Sequence, residues 1–143
     1  MKKIALVLLI SATSFFAFAG KSSKISCQVI SNFKEDFGNV KNVQWEERDG
    51  YAEATFVVNN KGTKAFYNFD GTPIGRATAI TIDMLPEKAK RSFAKKYSGY
   101  TVTEAISFVK PQEAAYYISA SNNEERVIIK VVNEQVCLYK KLS

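Results

Sequence analysis

The sequence contains no histidine among its 143 residues, and it has only two cysteines, three prolines and one tryptophan. Without histidine the chain cannot build a Ser-His-Asp triad, a Cys-His pair or the usual zinc sites. A Gly-rich phosphate-binding loop is also missing, as is the Asp/Asn spacing of a calcium loop around Asp70. We therefore predict a non-enzymatic protein with no catalytic residues, no metal and no cofactor.

The N-terminal segment has the pattern of a secretory signal. Two lysines precede an almost wholly apolar run, which ends at a small-x-small cleavage pattern from Ala17 to Ala19. The run is short for a membrane span, and no second apolar run follows it. We expect residues 1–19 to be a cleaved signal peptide and residues 20–143 to form a single domain. The protein is then periplasmic or secreted, with no stable membrane span.

The charge of the chain bears on its partners. The formal net charge is +6, and removal of Lys2 and Lys3 with the signal peptide lowers it to +4. A basic surface favours acidic partners, anionic lipid or cell-wall polymer. Because an exported protein rarely meets nucleic acid, we expect no nucleic-acid partner.

The two cysteines, Cys27 and Cys137, lie near the two ends of the exported chain. Outside the cytoplasm such a pair can be oxidised, and the bond would close a long loop. The sequence leaves open whether they form this disulfide or are two separate thiols, because it does not give the distance between their Cα atoms.

Two amphipathic helices are predicted, one over residues 26–39 and one that begins at Asp83 with Pro86 in its first turn. Each carries apolar residues four apart, which align along one helical face. The two series are Ile25, Val29, Phe33 and Phe37, and then Leu85, Ala89, Phe93 and Tyr97. Each member of the second series follows its counterpart by sixty residues, which indicates an internal repeat.

Eight strands are predicted between turn signals such as Asp49-Gly50 and Asp70-Gly71. They cover residues 43–48, 51–59, 64–69, 72–81, 100–110, 114–121, 125–132 and 135–140. Hairpin-linked strands form antiparallel sheet. The fold class is therefore α+β, with two tandem α-β-β-β-β repeats, at about residues 25–82 and 83–143, and with the helices on one face of the sheet.

The sheet face away from the helices is the candidate binding surface. Several strands carry large residues on both sides, although a solvent-exposed face does not need them. Aromatic side chains that also have a polar group suit a contact surface. The residues we select for binding are Tyr51, Phe66, Tyr116 and Tyr117, with Asn60 and Lys61 in a hairpin at the sheet edge. The alternative is that two half-sheets pack together, or that two copies dimerise, through this face.

Several short motifs, in this order, resemble the secreted PepSY-like proteins, a group described as similar to β-lactamase-inhibitor proteins. The motifs are Phe33 to Phe37 leading to Val43-Gln44-Trp45, then Ala65 to Thr72, then Leu85-Pro86, and finally Lys96 to Tyr100. The resemblance implies helices behind a curved sheet, and binding or inhibition of a protein by the concave face and hairpin loops. The chain departs from those inhibitors in having no local disulfides within its repeats.

These observations predict an exported binding module, of the protein- or peptidase-inhibitor type, that takes a protein or peptide of the cell envelope on the open sheet face. The alternative is a periplasmic carrier of a small apolar ligand, which needs an internal cavity between helix and sheet.

Overall fold

The computed structural model describes residues 25–142, so the predicted signal peptide lies outside the described residues. The helices are α1 (Cys27–Phe37) and α2 (Glu87–Lys96). The strands are β1 (Gln44–Arg48), β2 (Tyr51–Val58), β3 (Lys61–Tyr67), β4 (Pro73–Ala79), β5 (Thr101–Lys110), β6 (Glu113–Ser121), β7 (Arg126–Val132) and β8 (Gln135–Leu142). A short 3-10 turn, Ile82–Met84, precedes α2.

The strands form one sheet in chain order, and each strand pairs antiparallel with the next. The turns agree with this meander. Asn59 and Asn60 both have positive φ, as do Asn133 and Glu134, which is the requirement of a two-residue hairpin turn. Because the first of these turns needs only two residues, β3 begins at Lys61 and not at residue 64 as the sequence predicted.

Both helices cover the same face of the sheet, which we call the helix face. Ala65 of β3 belongs to the core under α1, and it pairs with Arg76, which in turn pairs with Val109 of β5. Side chains two residues apart on a strand share a face. Ala105, which belongs to the core under α2, is therefore on the same side as Val109 and Ala65.

The core under α1 is aromatic. Phe33 is almost fully buried, and its ring lies 5.2 Å from that of Trp45 and 5.0 Å from that of Phe56, both nearly edge to face. The core under α2 is mainly aliphatic: Leu85, Ala89 and Phe93 pack on small and branched residues of β5 to β8. Each predicted apolar helix stripe thus contributes to its own core.

The start of α2 differs from the prediction. Asp83 lies in the 3-10 turn, and Leu85 and Pro86 have extended ψ angles of 152° and 141° before the helix begins at Glu87. The ring of a proline disfavours helical backbone at the residue before it, so Leu85 cannot continue the turn into the helix. Leu85 is nevertheless 4% exposed, and it still contributes to the core.

The two thiols are free and exposed in the structure, so it contains no bond between Cys27 and Cys137. Cys27 opens α1, whose core lies on β2 and β3, whereas Cys137 lies in β8 at the far edge of the sheet. Strands in a sheet are about 4.8 Å apart. The strands that separate the two residues place them well beyond the reach of a disulfide.

We predict that Phe33→Ala lowers the free energy of unfolding by about 3–5 kcal/mol, because it leaves a cavity where three aromatic rings meet. Urea denaturation measures this loss. The matched control is Phe69→Ala, whose side chain is 46% exposed, and we expect it to change stability by less than about 0.5 kcal/mol. Equal losses for the two variants would contradict the packing described here.

Candidate functional site

The face of the sheet opposite both helices is the candidate site, and we call it the open face. Among the described residues no helix covers it. It nevertheless contains a small buried cluster of its own, formed by Phe66, Ala77, Ile106 and Phe108, with Tyr51, Ile74 and Tyr117 packed around it. An uncovered sheet face that buries apolar side chains must do so by packing them against each other.

The aromatic members of this face form a continuous line, which we call the aromatic belt. It runs through Tyr51, Phe66, Phe108, Tyr117 and Tyr139, and so crosses the sheet from β2 to β8. Successive ring centroids are 5.9, 5.9, 6.4 and 5.4 Å apart. These separations and tilted or edge-on angles are favourable for aromatic pairs.

Gly75 makes the centre of the belt possible. A Cβ atom at this position would lie 2.9 Å from the carbonyl oxygen of Val109 and 3.1 Å from Cζ of Phe108. Gly75 also pairs with Phe66 across the β3–β4 ladder. The absence of a side chain on Gly75 therefore leaves the space in which the two phenylalanine rings meet.

Three of the four aromatic residues predicted from the sequence lie together on the open face. Tyr51, Phe66 and Tyr117 belong to its cluster. Tyr116 does not: it packs against the core under α2, because its neighbour Tyr117 occupies the open face and successive residues of a strand point to opposite sides. The prediction that Tyr116 contributes to the open face was wrong.

The role predicted for Phe66 also changes. Its side chain is only 3% exposed, between Tyr51 and Phe108, so a partner cannot reach most of it. Phe66 packs between the other rings of the belt and stabilises their positions, but it is not a contact residue in this structure.

The predicted hairpin residues lie apart from the belt. Asn60 is in the β2–β3 turn, and Lys61 pairs with Val58, which packs toward α1. Lys61 therefore points to the helix face, where its ammonium group lies 3.5 Å from the Sδ atom of Met84.

Two exposed residues of the open face, Val57 and Tyr139, were not among the binding residues selected from the sequence. Val57 is 57% exposed and follows the alternation of Tyr51 along β2; Tyr139 is 51% exposed. The pairing of β7 with β8 skips Tyr139, because Ile129 pairs with Leu138 and Ile128 with Lys140. Tyr139 lies two residues after Cys137, whose ladder partner Lys130 is on the open face, so alternation along β8 directs Tyr139 to the same face, where its ring packs against that of Tyr117.

Most charges around the belt are paired. Lys64 Nζ lies 2.6 Å from Glu53 Oε1, and Glu53 is almost fully buried. At the other side Lys130 Nζ lies 2.7 Å from Glu113 Oε1 and also over the ring of Tyr117. Hydrogen bonding to Lys130 lowers the pKa of the Glu113 carboxyl, which holds this pair ionised.

Glu104 of β5 is the exception. Its Oε2 atom is buried and has no hydrogen-bond partner, and burial raises the pKa of the carboxyl from its ordinary value of 4.5 to about 7. Glu104 pairs across the ladder with Ser119, two residues beyond Tyr117 on β6. Nothing in the sequence distinguishes this glutamate from its neighbours, because its isolation is a property of the fold.

A cleft of about 240 Å³ lies on the other side, beside the end of α1. Its lining includes Asp36, Tyr67 and Arg76, and the Tyr67 hydroxyl donates a hydrogen bond to Asp36 Oδ2 at 2.7 Å. Burial, together with this carboxylate, raises the pKa of Tyr67. The cleft is therefore open to solvent and has charged groups in its lining, unlike the enclosed apolar cavity that a carrier of apolar ligands requires.

Within residues 25–142 the structure contains no group of three or more acidic or cysteine side chains arranged to hold a metal ion. Over the same residues, no helix is both long enough and apolar enough to span a membrane.

No family model and no curated protein sequence matches the chain. Solved structures do. A DUF2874 family protein from Bacteroides ovatus superposes with a TM-score of 0.77 at 20% identity, covering 85% of this chain and 89% of that one. A BLIP-like protein from Bacteroides fragilis gives a TM-score of 0.71 at 16% identity, covering 82% and 84%. A third protein, from Bacteroides eggerthii and assigned provisionally to the periplasm, gives a TM-score of 0.75 at 17% identity. The match covers 82% of this chain and 87% of that one.

The chain has a BLIP-like fold. At these identities the likeness is one of fold alone. It supports the β-lactamase-inhibitor-like part of the resemblance seen in the sequence. The BLIP-like fold consists here of an eight-stranded antiparallel sheet with both helices on one face.

We predict that Phe66→Ala destabilises the protein by about 3–5 kcal/mol, because Phe66 is the buried centre of the belt. Tyr139→Ala, at the exposed end of the same belt, is the matched control and should cost less than about 1 kcal/mol. Thermal and urea denaturation measure both. If Phe66→Ala lowers the free energy of unfolding no more than Tyr139→Ala does, the open face is not a second core.

We also predict that Glu104 makes stability fall as the pH rises from 4.5 to about 7. The pKa of Glu104 is higher in the folded than in the unfolded protein, so its contribution is complete below 4.5 and is lost as the pH passes the folded value. Glu104→Gln should remove this fall and be more stable than wild type at alkaline pH. Urea midpoints across this range test it.

The control for this experiment is Glu124→Gln, at an exposed position in the β6–β7 turn, which should keep the pH dependence of the wild type. If Glu104→Gln keeps it too, the carboxyl of Glu104 is not desolvated by the fold.

Proposed function

We propose that the protein is an exported, non-enzymatic binding module that holds a protein or peptide of the cell envelope on its open face. The observation that carries this proposal is the aromatic belt, which crosses the open face. Within residues 25–142 no helix covers this face. A sheet face that contacts only solvent gains nothing from a line of aromatic side chains.

The belt has the physical properties of a contact surface. Its centre is buried and fixed, so little conformational entropy is lost when a partner packs on it. Its accessible parts are the half-buried tyrosines 51 and 117 and the exposed Tyr139. Tyrosine is enriched among the residues that dominate binding energy, since it offers a large rigid ring and a polar end. The paired charges beside the belt supply a polar rim.

Export is supported by the signal pattern at residues 1–19 and by the provisional periplasmic assignment of one similar structure. None of the three similar structures is named as an enzyme. A BLIP-like fold in a chain without histidine suits an inhibitor-type or other protein-binding role. The helix-and-four-strand order occurs twice, which supports a PepSY-like origin by duplication.

The carrier of a small apolar ligand receives less support. Both helix cores are filled by interlocking side chains. The described cleft is lined in part by Asp36, Arg76 and Lys110 and is open to solvent, so an apolar molecule would there lie against charged groups. Desolvation of those groups would oppose its binding.

The proposal is tested by photo-crosslinking in cells that export the protein. A photoreactive phenylalanine at position 139 or 57 should trap one protein species, because both positions are exposed ends of the open face. The matched control is position 69, an exposed phenylalanine in the β3–β4 loop near the start of α1. A crosslinked product of twice the chain mass identifies a second copy as the partner.

With the trapped protein purified, Val57→Glu and Tyr139→Ala should each weaken binding at least about tenfold, since each removes an apolar contact at the interface. Phe69→Ala should leave the affinity unchanged. Crosslinks that arise equally from position 69, or an affinity that Val57→Glu and Tyr139→Ala leave intact, would overturn the proposal.

A further inference from the structure

Glu104 has an unusual place in the open face. It follows a register shift between Val102 and Glu104 in the β5–β6 ladder, in which the Thr103 hydroxyl donates a hydrogen bond to the carbonyl oxygen of Ser119 at 3.1 Å. Glu104 and Ile106 share the open face, and Ile106 is buried in its apolar cluster. The fold thus holds a carboxyl group against the edge of an apolar surface.

One oxygen of this carboxyl group is buried without a partner. When the group is ionised, Oε2 is an acceptor that no donor reaches among the described residues. Burial of a polar atom without a partner costs free energy that a suitable ligand group would recover. The free protein therefore keeps a vacant hydrogen-bonding position at this point of the open face.

The charged groups around Glu104 do not fill that position. Among the described residues, Lys64 of β3 is the cation that acts on it electrostatically, but the Lys64 ammonium is held 2.6 Å from Glu53 Oε1. Its ladder partner on β6 is Ser119, followed on β7 by Ile128 and on β8 by Lys140. Glu104 forms no salt bridge among the described residues, whereas Glu53 and Glu113 of the same face both do.

We propose that Glu104 is the anchor for a basic side chain, a lysine or an arginine, that the partner on the open face inserts beside the aromatic belt. The inference rests on the proposed function and names the chemistry of the partner. Glu104 is only partly buried, so an ammonium or guanidinium group can approach the accessible part of its carboxyl group and supply the missing opposite charge. The ring of Tyr117 is not the alternative anchor, because Lys130 already lies 5.8 Å from its centre.

The anchor makes recognition depend on pH. A cation binds the ionised carboxylate, and with a carboxyl pKa of about 7 the ionised fraction changes steeply near neutrality. The affinity for a basic probe should then be roughly 30-fold higher at about pH 8.5 than at about pH 5.5, in proportion to the binding-competent fraction. A neutral hydrogen-bond donor should show no such increase.

The test needs no knowledge of the partner. Carbon-13 NMR of the glutamate side-chain carboxyls follows the titration of Glu104 in the purified protein, with butylammonium chloride as the probe and sodium chloride or 1-butanol at equal concentration as controls. We expect butylammonium alone to shift the Glu104 titration to lower pH. Glu104→Gln identifies the signal and abolishes the response, while Glu124→Gln keeps it.

A Glu104 titration that moves equally in sodium chloride, or not at all, would overturn the inference.

The partner trapped from position 139 provides an independent test: Glu104→Gln should weaken the binding of that partner at least about tenfold at pH 8.5. If that partner binds Glu104→Gln as tightly as wild type, the anchor is refuted and the proposed function remains. If butylammonium binds but no partner is trapped, the proposed function fails and the cation site remains.

Discussion

The structure depends on one constraint: the alternation of side chains along a single antiparallel meander, whose register shifts at three places. Once α1 and α2 lie on the helix face, the register of each pairing assigns every strand residue either to a helix core or to the open face. Val29 and Phe33 therefore select Ala52, Ala54 and Phe56 for one side. The same selection leaves Tyr51, Glu53 and Val57 for the other.

The open face is both a core and a surface. Phe66 and Phe108 bury each other there, in space that Gly75 leaves, and so fix the rings that surround them. Tyr139 and Val57 stay exposed at its margins. This combination explains how a thin sheet can present apolar groups without flexibility: the buried pair supplies stability, and the exposed residues supply contact area. Glu104 adds a carboxyl group that forms no salt bridge among the described residues and whose Oε2 atom is buried without a hydrogen-bond partner.

The sequence predicted the fold well, because the period of four in the helices and the hairpin turns are local signals. The helix stripes and all eight strands lie close to their predicted positions. Local signals fail where a neighbour overrides them. Asp83 looks like a helix cap, but Pro86 forces Leu85 into an extended conformation and delays the helix. Tyr116 and Tyr117 are neighbours on one strand and so lie on opposite faces, and only the register decides which of them lies on the open face.

The candidate site was less predictable. Tyr51, Phe66 and Tyr117 could be selected because large residues at alternate positions are visible in the sequence. The face on which Tyr139 lies depends on the register of β8 against β7, and the isolation of Glu104 depends on which strand brings Lys64 to Glu53. Both are long-range consequences of pairing that no local pattern encodes.

The central claim is that a protein or peptide partner covers the open face in the cell envelope. Covalent labelling of side chains in intact cells, compared with the purified protein by mass spectrometry, tests it most directly. The account predicts that Val57 and Tyr139 become protected in cells, while Met84 and Phe69, which are similarly exposed away from the belt, are labelled as in the purified protein. Protection of Met84 and Phe69, with Val57 and Tyr139 still fully labelled, would contradict it.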